Sequence, residues 1–200
     1  MNTLQTITFS DGTTLEIWCD EMPIHPREDG DMLGTMVCFH RKYNLGDEHS
    51  YHHEDYPGWE GLKEQIEKDH DVALILPVYM IDHSGLALST KPFGCPWDSG
   101  QVGWIFTTHD AAKEAFQVDE VDDATLEKVS RCLNGEIDLY GKYVNGEVYG
   151  FTHYEKCPTC GGKTEEKDSC GGFYGYDFSE NGMADHIDSD YHDEFLEKVQ

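Results

Sequence analysis

Basic residues are scarce in this chain, and a long apolar run is missing. Lysine and arginine together number 14 against 40 aspartates and glutamates, a formal charge of −26. A field of that sign repels the phosphates of nucleic acids and the headgroups of anionic membranes, so direct binding to either is not expected. The longest apolar run, Val72 to Ile81 (VALILPVYMI), is too short to span a bilayer and contains Pro77. The opening residues, MNTLQTITFS, have no basic segment and no apolar stretch, so no secretion signal is expected and the setting is read as cytoplasmic. An even set of cysteines is lacking too. There are seven, irregularly spaced, which points to reduced thiols or metal ligands rather than a disulfide frame. Internal repeats and low-complexity linkers are also missing.

What is present suffices for a folded core. The 200 residues are 38% hydrophobic and 12% aromatic, which argues against wholesale disorder despite the charge. Residues 3 to 9 and 14 to 19 alternate apolar and polar side chains around Ser10-Asp11-Gly12-Thr13, a β-hairpin pattern. Residues 20 to 33, with Pro23, Pro26 and Gly30, read as a loop. Met36 to Tyr43 reads as a strand, and Asn44 to Tyr56 as a polar loop. Trp59, Leu62 and Ile66 stand at helical spacing within 59 to 70. Val72 to Asp82 reads as a buried strand, with Gly85 to Ser89 as its partner and Gln101 to Thr107 as a further strand. Ala111 to Phe116 and Thr125 to Tyr143 read as helices, the second weakened by Gly135 and Gly141. Glu147 to Tyr154 and Phe173 to Phe178 read as the arms of a last hairpin, and His192 to Val199 as a closing helix. About seven strands and four helices, adjacent strands joined by short turns, predict one α+β domain over residues 1–200: an antiparallel sheet, a few helices and a small cysteine-bearing hairpin near the C-terminus.

Residues 153–172 form a candidate zinc-knuckle hairpin. Cys157-Pro158-Thr159-Cys160 is half of a zinc ribbon: two thiolates three residues apart on a tight turn can grip one Zn²⁺. Cys170 and His153 are the candidates for the other two ligands, in a structural rather than catalytic site. The alternative is a turn with free thiols. Gly161-Gly162-Lys163-Thr164 imitates the end of a phosphate loop, but Cys157 stands where that loop needs glycine, so nucleotide binding is rejected. The stretch Asp47 to Asp55 gathers three histidines and four carboxylates, which suits either a divalent metal or a plainly exposed loop. Cys95, with His83 or His109 as base and Asp98 as its orienter, is the candidate for a thiol-dependent enzyme; the alternative has Cys95 and Trp97 packed beneath their loop.

Three segments carry a resemblance. They are Leu33 to Asp47 (LGTMVCFHRKYNLGD); Asp82 to Gly85 together with Pro92 to Gly103 (PFGCPWDSGQVG); and Glu147 to Gly150 together with Asp168 to Gly175. Together they resemble a family of small acidic proteins encoded by bacteriophages and other mobile elements, a family with no established activity. The Cys157-x-x-Cys160 stretch departs from many of its members. The resemblance implies a bacterial host cell, where small acidic proteins commonly block host defence by presenting carboxylates in place of DNA phosphates. B-form DNA carries one charge per ~1.7 Å, so a surplus of this size imitates on the order of ten to fifteen base pairs. The expectation is therefore a non-enzymatic accessory protein that binds a basic protein surface, of the antirestriction or anti-CRISPR type. Its target would be a host nuclease or DNA-binding complex. Its contact carboxylates would be Asp119, Glu120, Asp122, Asp123, Asp185, Asp188, Asp190, Asp193 and Glu194.

Overall fold

A computed structural model describes residues 2–29, 31–95 and 97–199. Pro96, which falls in the loop of the candidate thiol site, lies outside the described residues. In chain order the elements are β1 (Thr3–Thr8), β2 (Thr14–Cys19), α1 (Pro26–Asp29), β3 (Thr35–Cys38), α2 (Gly58–Asp69), β4 (Val72–Asp82), β5 (Leu86–Ser89), β6 (Ser99–Thr108), α3 (His109–Phe116), α4 (Asp123–Val144), β7 (Val148–Lys156), β8 (Lys163–Tyr174) and α5 (His192–Lys198). Short 3₁₀ turns lie at His53–Asp55 and Met183–His186. The fold is α+β, with all strand pairs antiparallel. No helix among the described residues is long and apolar enough to cross a membrane.

The chain groups into two compact units. The first comprises residues 1–24 and 142–200, and the second residues 25–141. The first unit holds a sheet in the order β1-β2-β7-β8. Alternation puts Ile7, Leu15, Ile17, Phe151 and Phe173 on one buried cluster, which Met183, Ala184, Ile187 and Phe195 close from the chain's last segments.

The second unit holds a sheet in the order β3-β6-β4-β5. From Val102 to Thr107 every residue of β6 is buried, as in a strand covered on both faces. Trp104 and Phe106 pack with Val37 against Leu62 and Ile66 of α2. On the opposite face Ile105 lies beside Gly34 and Leu133 of α4. The run Val72 to Asp82 is a strand, as its composition predicts, but most of it is only half-buried. β5 reaches only Tyr79 to Asp82, so the first half of β4 has β6 on one side and no partner on the other among the described residues.

Three boundaries differ from the sequence expectation. A helical turn, α1, sits inside the predicted loop 20 to 33, started by Pro26 at a position where a missing N–H costs nothing. β3 stops at Cys38, five residues short of Tyr43, because the chain bends away into turns. The second arm of the last hairpin runs from Lys163 to Tyr174, not from Phe173 to Phe178. Its first seven residues, KTEEKDS, are all exposed, so backbone pairing to β7 makes this strand with no apolar periodicity to announce it.

Candidate functional site

One buried ionic network shapes the second unit. The Arg27 side chain is 2% exposed. Its Nε and Nη2 grip both oxygens of Asp47, at 2.5 and 2.7 Å. Nη2 also donates to the Gly34 carbonyl at 2.5 Å, and Nη1 meets Glu136 Oε2 at 3.4 Å. The two carboxylates turn their remaining lone pairs to backbone N–H groups: Asp47 accepts from Met36, and Glu136 from Leu33 and Gly34. Burial pushes the Glu136 carboxyl above its usual range, although those N–H groups and Arg27 oppose the shift. One guanidinium thus ties α1, the start of β3, the loop at Asp47 and α4 together. Removing Arg27 would leave both carboxylates without their counter-charge, a loss of about 3–5 kcal/mol. Sequence patterning could not find this network, because its members lie 20 and 109 residues apart.

The pinned segment carries a cleft. A cavity of about 760 Å³ is lined by Phe39, His40, Arg41, Tyr43, His49 and His53 among others. A second, of about 470 Å³, shares Phe39, His40 and Arg41 and adds Asp82 and Trp97 to Val102. The segments at Leu33 to Asp47, at Asp82 and at Pro92 to Gly103, far apart in sequence, therefore meet here, through β3 on β6 and β6 on β4. Phe39 is the wall, with His49 and His53 edge-on to its ring at 5.0 and 5.5 Å. Asp82 ties down the rim by accepting from Tyr43 at 3.0 Å and Lys42 at 3.2 Å. The polar loop 47 to 55 does not assemble a metal cage. Asp47 is committed to Arg27, and His49 Nε2 lies 3.1 Å from the Cys38 carbonyl.

Cys95, His83 and Asp98 do come together, in an order unsuited to a thiol nucleophile. Asp98 Oδ2 is the middle member, 3.2 Å from His83 Nδ1 and 3.6 Å from Cys95 Sγ. The thiol therefore donates to a carboxylate, and no hydrogen bond links it to an imidazole among the described residues. His109 is engaged elsewhere, with Asp71 at 3.2 Å. The alternative that buries this loop fails as well: Trp97 is 92% exposed.

The four candidate zinc ligands are not brought to one point. Cys157 and Cys160 share the turn between β7 and β8. Cys170 lies on β8 opposite Phe151, seven residues beyond Lys163, or roughly 20 Å along an extended strand. Its sulfur stands 3.9 Å from His186 Nδ1. His153 is buried against Phe9 and Tyr191, with Nε2 2.9 Å from Thr13 Oγ1. The separation follows from the long second strand, which carries Cys170 away from the turn. Among the described residues no group of three or more His, Cys, Asp or Glu side chains is placed to hold one ion.

The candidate contact carboxylates are divided between the units. Asp119, Glu120, Asp122 and Asp123 are exposed at the start of α4, where Asp122 also caps the helix by accepting from Thr125 N at 2.8 Å. Asp185, Asp188, Asp190 and Asp193 are exposed around α5, whereas Glu194 is half-buried and holds Ser10 N and Lys198. Comparisons with protein-family models, curated proteins and solved structures find no match to this chain.

Proposed function

We propose that this chain is a non-enzymatic accessory protein of a phage or mobile element that binds a basic protein surface. It would present carboxylates where DNA phosphates would otherwise lie and so inhibit a host defence nuclease or its DNA-binding complex. The observation that carries this reading is the charge of −26 together with its placement. Asp119, Glu120, Asp123, Asp185 and Asp190 are exposed, and none of them enters an ion pair among the described residues. Carboxylates without a partner lysine keep their full field for an approaching cation. Cys95 has Asp98 rather than a histidine at 3.6 Å, which favours this reading over a thiol enzyme, since a nucleophile needs its base within reach.

The test is capture of partners from bacterial lysate at low salt, followed by affinity measurement across salt concentrations. The expected result is one enriched nuclease or DNA-binding complex whose affinity falls linearly on a log–log plot against salt. Asp119→Asn, Glu120→Gln and Asp123→Asn together should flatten that slope by about one per contacting carboxylate replaced. Binding that ignores salt would remove the basis of the mimicry.

A further inference from the structure

We propose that the Cys157–Cys160 turn is half of a tetrahedral thiolate site for a thiophilic divalent ion, Zn²⁺ in the first instance, and that a second copy of this chain supplies the other half. The turn is already formed as a knuckle. Cys157 N donates to the Gly162 carbonyl at 2.6 Å, and Gly161 N to the Cys157 carbonyl at 2.9 Å. Gly161 sits at φ +76°, a left-handed conformation that permits this reversal. Backbone N–H groups of Cys160 and Thr159 point at the Cys157 sulfur, as they do in a turn that grips a metal between two thiolates.

The knuckle has two donors, and a structural zinc site needs four. The third and fourth cannot come from Cys170 or His153, which the long strand β8 and the buried core of the first unit keep away. What the turn does have is access. Residues 155–156 and 158–169 are exposed and Cys157 is half-buried, so the tip of the hairpin is open to approach. A two-fold axis through the ion would bring two identical turns together and close a four-sulfur shell, the self-complementary arrangement that paired copies of one chain favour. Local charge favours this contact as well. From Lys156 to Thr164 there are two lysines and no carboxylate, in a chain that is otherwise strongly acidic. Repulsion between copies is therefore low at the turn itself, where Lys163 is paired with Glu16 at 2.7 Å. On binding, four Zn–S bonds form and the thiol protons still held pass to solvent.

The experiment titrates Zn²⁺, and in parallel Co²⁺ as a spectroscopic probe, into the reduced full-length protein while its mass in solution is followed. The expected result is one metal per two chains, a dimer that a chelator dissociates, and the Co²⁺ absorption of a four-thiolate tetrahedron. Cys157→Ser and Cys160→Ser should each abolish dimer and absorption, whereas Cys170→Ser should leave both intact. Alkylation of the wild-type protein gives a readout that does not depend on folding of the variants: Zn²⁺ should shield Cys157 and Cys160 and leave Cys132, which is also exposed, reactive. One metal per chain at monomer mass, loss of uptake in Cys170→Ser, or unshielded Cys157 and Cys160 would each overturn the proposal.

Discussion

At the scale of single residues, His153 shows how placement changes chemistry. It is 2% exposed, and burial, helped by the Lys167 charge, lowers its pKa from 6.5, while Asp11, Glu155 and Asp168 pull the other way. Below 6.5 the unfolded chain binds a proton that the folded one resists. The stability contributed by neutral His153 is therefore complete above pH 6.5 and is lost as the pH falls through its lower folded value. His153→Gln keeps an amide donor for Thr13 and removes the titration. Urea unfolding from about pH 7.5 to about pH 5 should show the wild-type protein losing more stability than the variant. Parallel curves for the two proteins would mean that His153 is not the linked group. A histidine four residues before a Cys-x-x-Cys pair looks like a ligand in one dimension. Strand alternation and the packing of Phe9 and Tyr191 turn it inward.

At the scale of elements, β3 and β6 approach closely at Gly103. A Cβ on Gly103 would collide with the carbonyl oxygen of Val37 and lie 2.6 Å from the Cys38 sulfur. Because backbone cannot yield as a flexible side chain can, Gly103→Ala should cost about 1–3 kcal/mol or more in urea unfolding, chiefly by prising β3 from its partner. An unchanged midpoint would show that the two strands part without consequence. The same join places Phe39 and the cleft, so the variant should also change near-ultraviolet dichroism from the Phe39, Trp59 and Trp104 cluster. Helices α2, α3 and α4 were readable because apolar residues recur at helical spacing. β8 was not, since its exposed half is polar on both faces.

At the scale of the whole molecule, self-repulsion is the dominant electrostatic fact. Forty acidic groups against fourteen basic ones oppose compaction, and added salt screens that repulsion. The melting temperature should therefore rise between low salt and ~1 M, where the Debye length shrinks to ~3 Å. Potassium chloride should act like sodium chloride if the cause is screening, and a melting temperature that falls with either salt would show that attractive pairs outweigh the repulsion. The Arg27 network should contribute little to the salt response, because a buried pair is screened far less than exposed charge.

Composition by itself determined the acidity, the absence of an apolar span in the helices, the α+β class and the position of most elements, because these depend on local periodicity and on counts. Only the tertiary structure decided which side chains meet. It joined Arg27 to Asp47 and Glu136, set Asp98 between Cys95 and His83, exposed Trp97, and parted Cys170 and His153 from the turn at Cys157. The reason is physical: side-chain encounters across a sheet depend on register and on strand length, and one exposed polar arm leaves no mark in the apolar pattern from which strands are read.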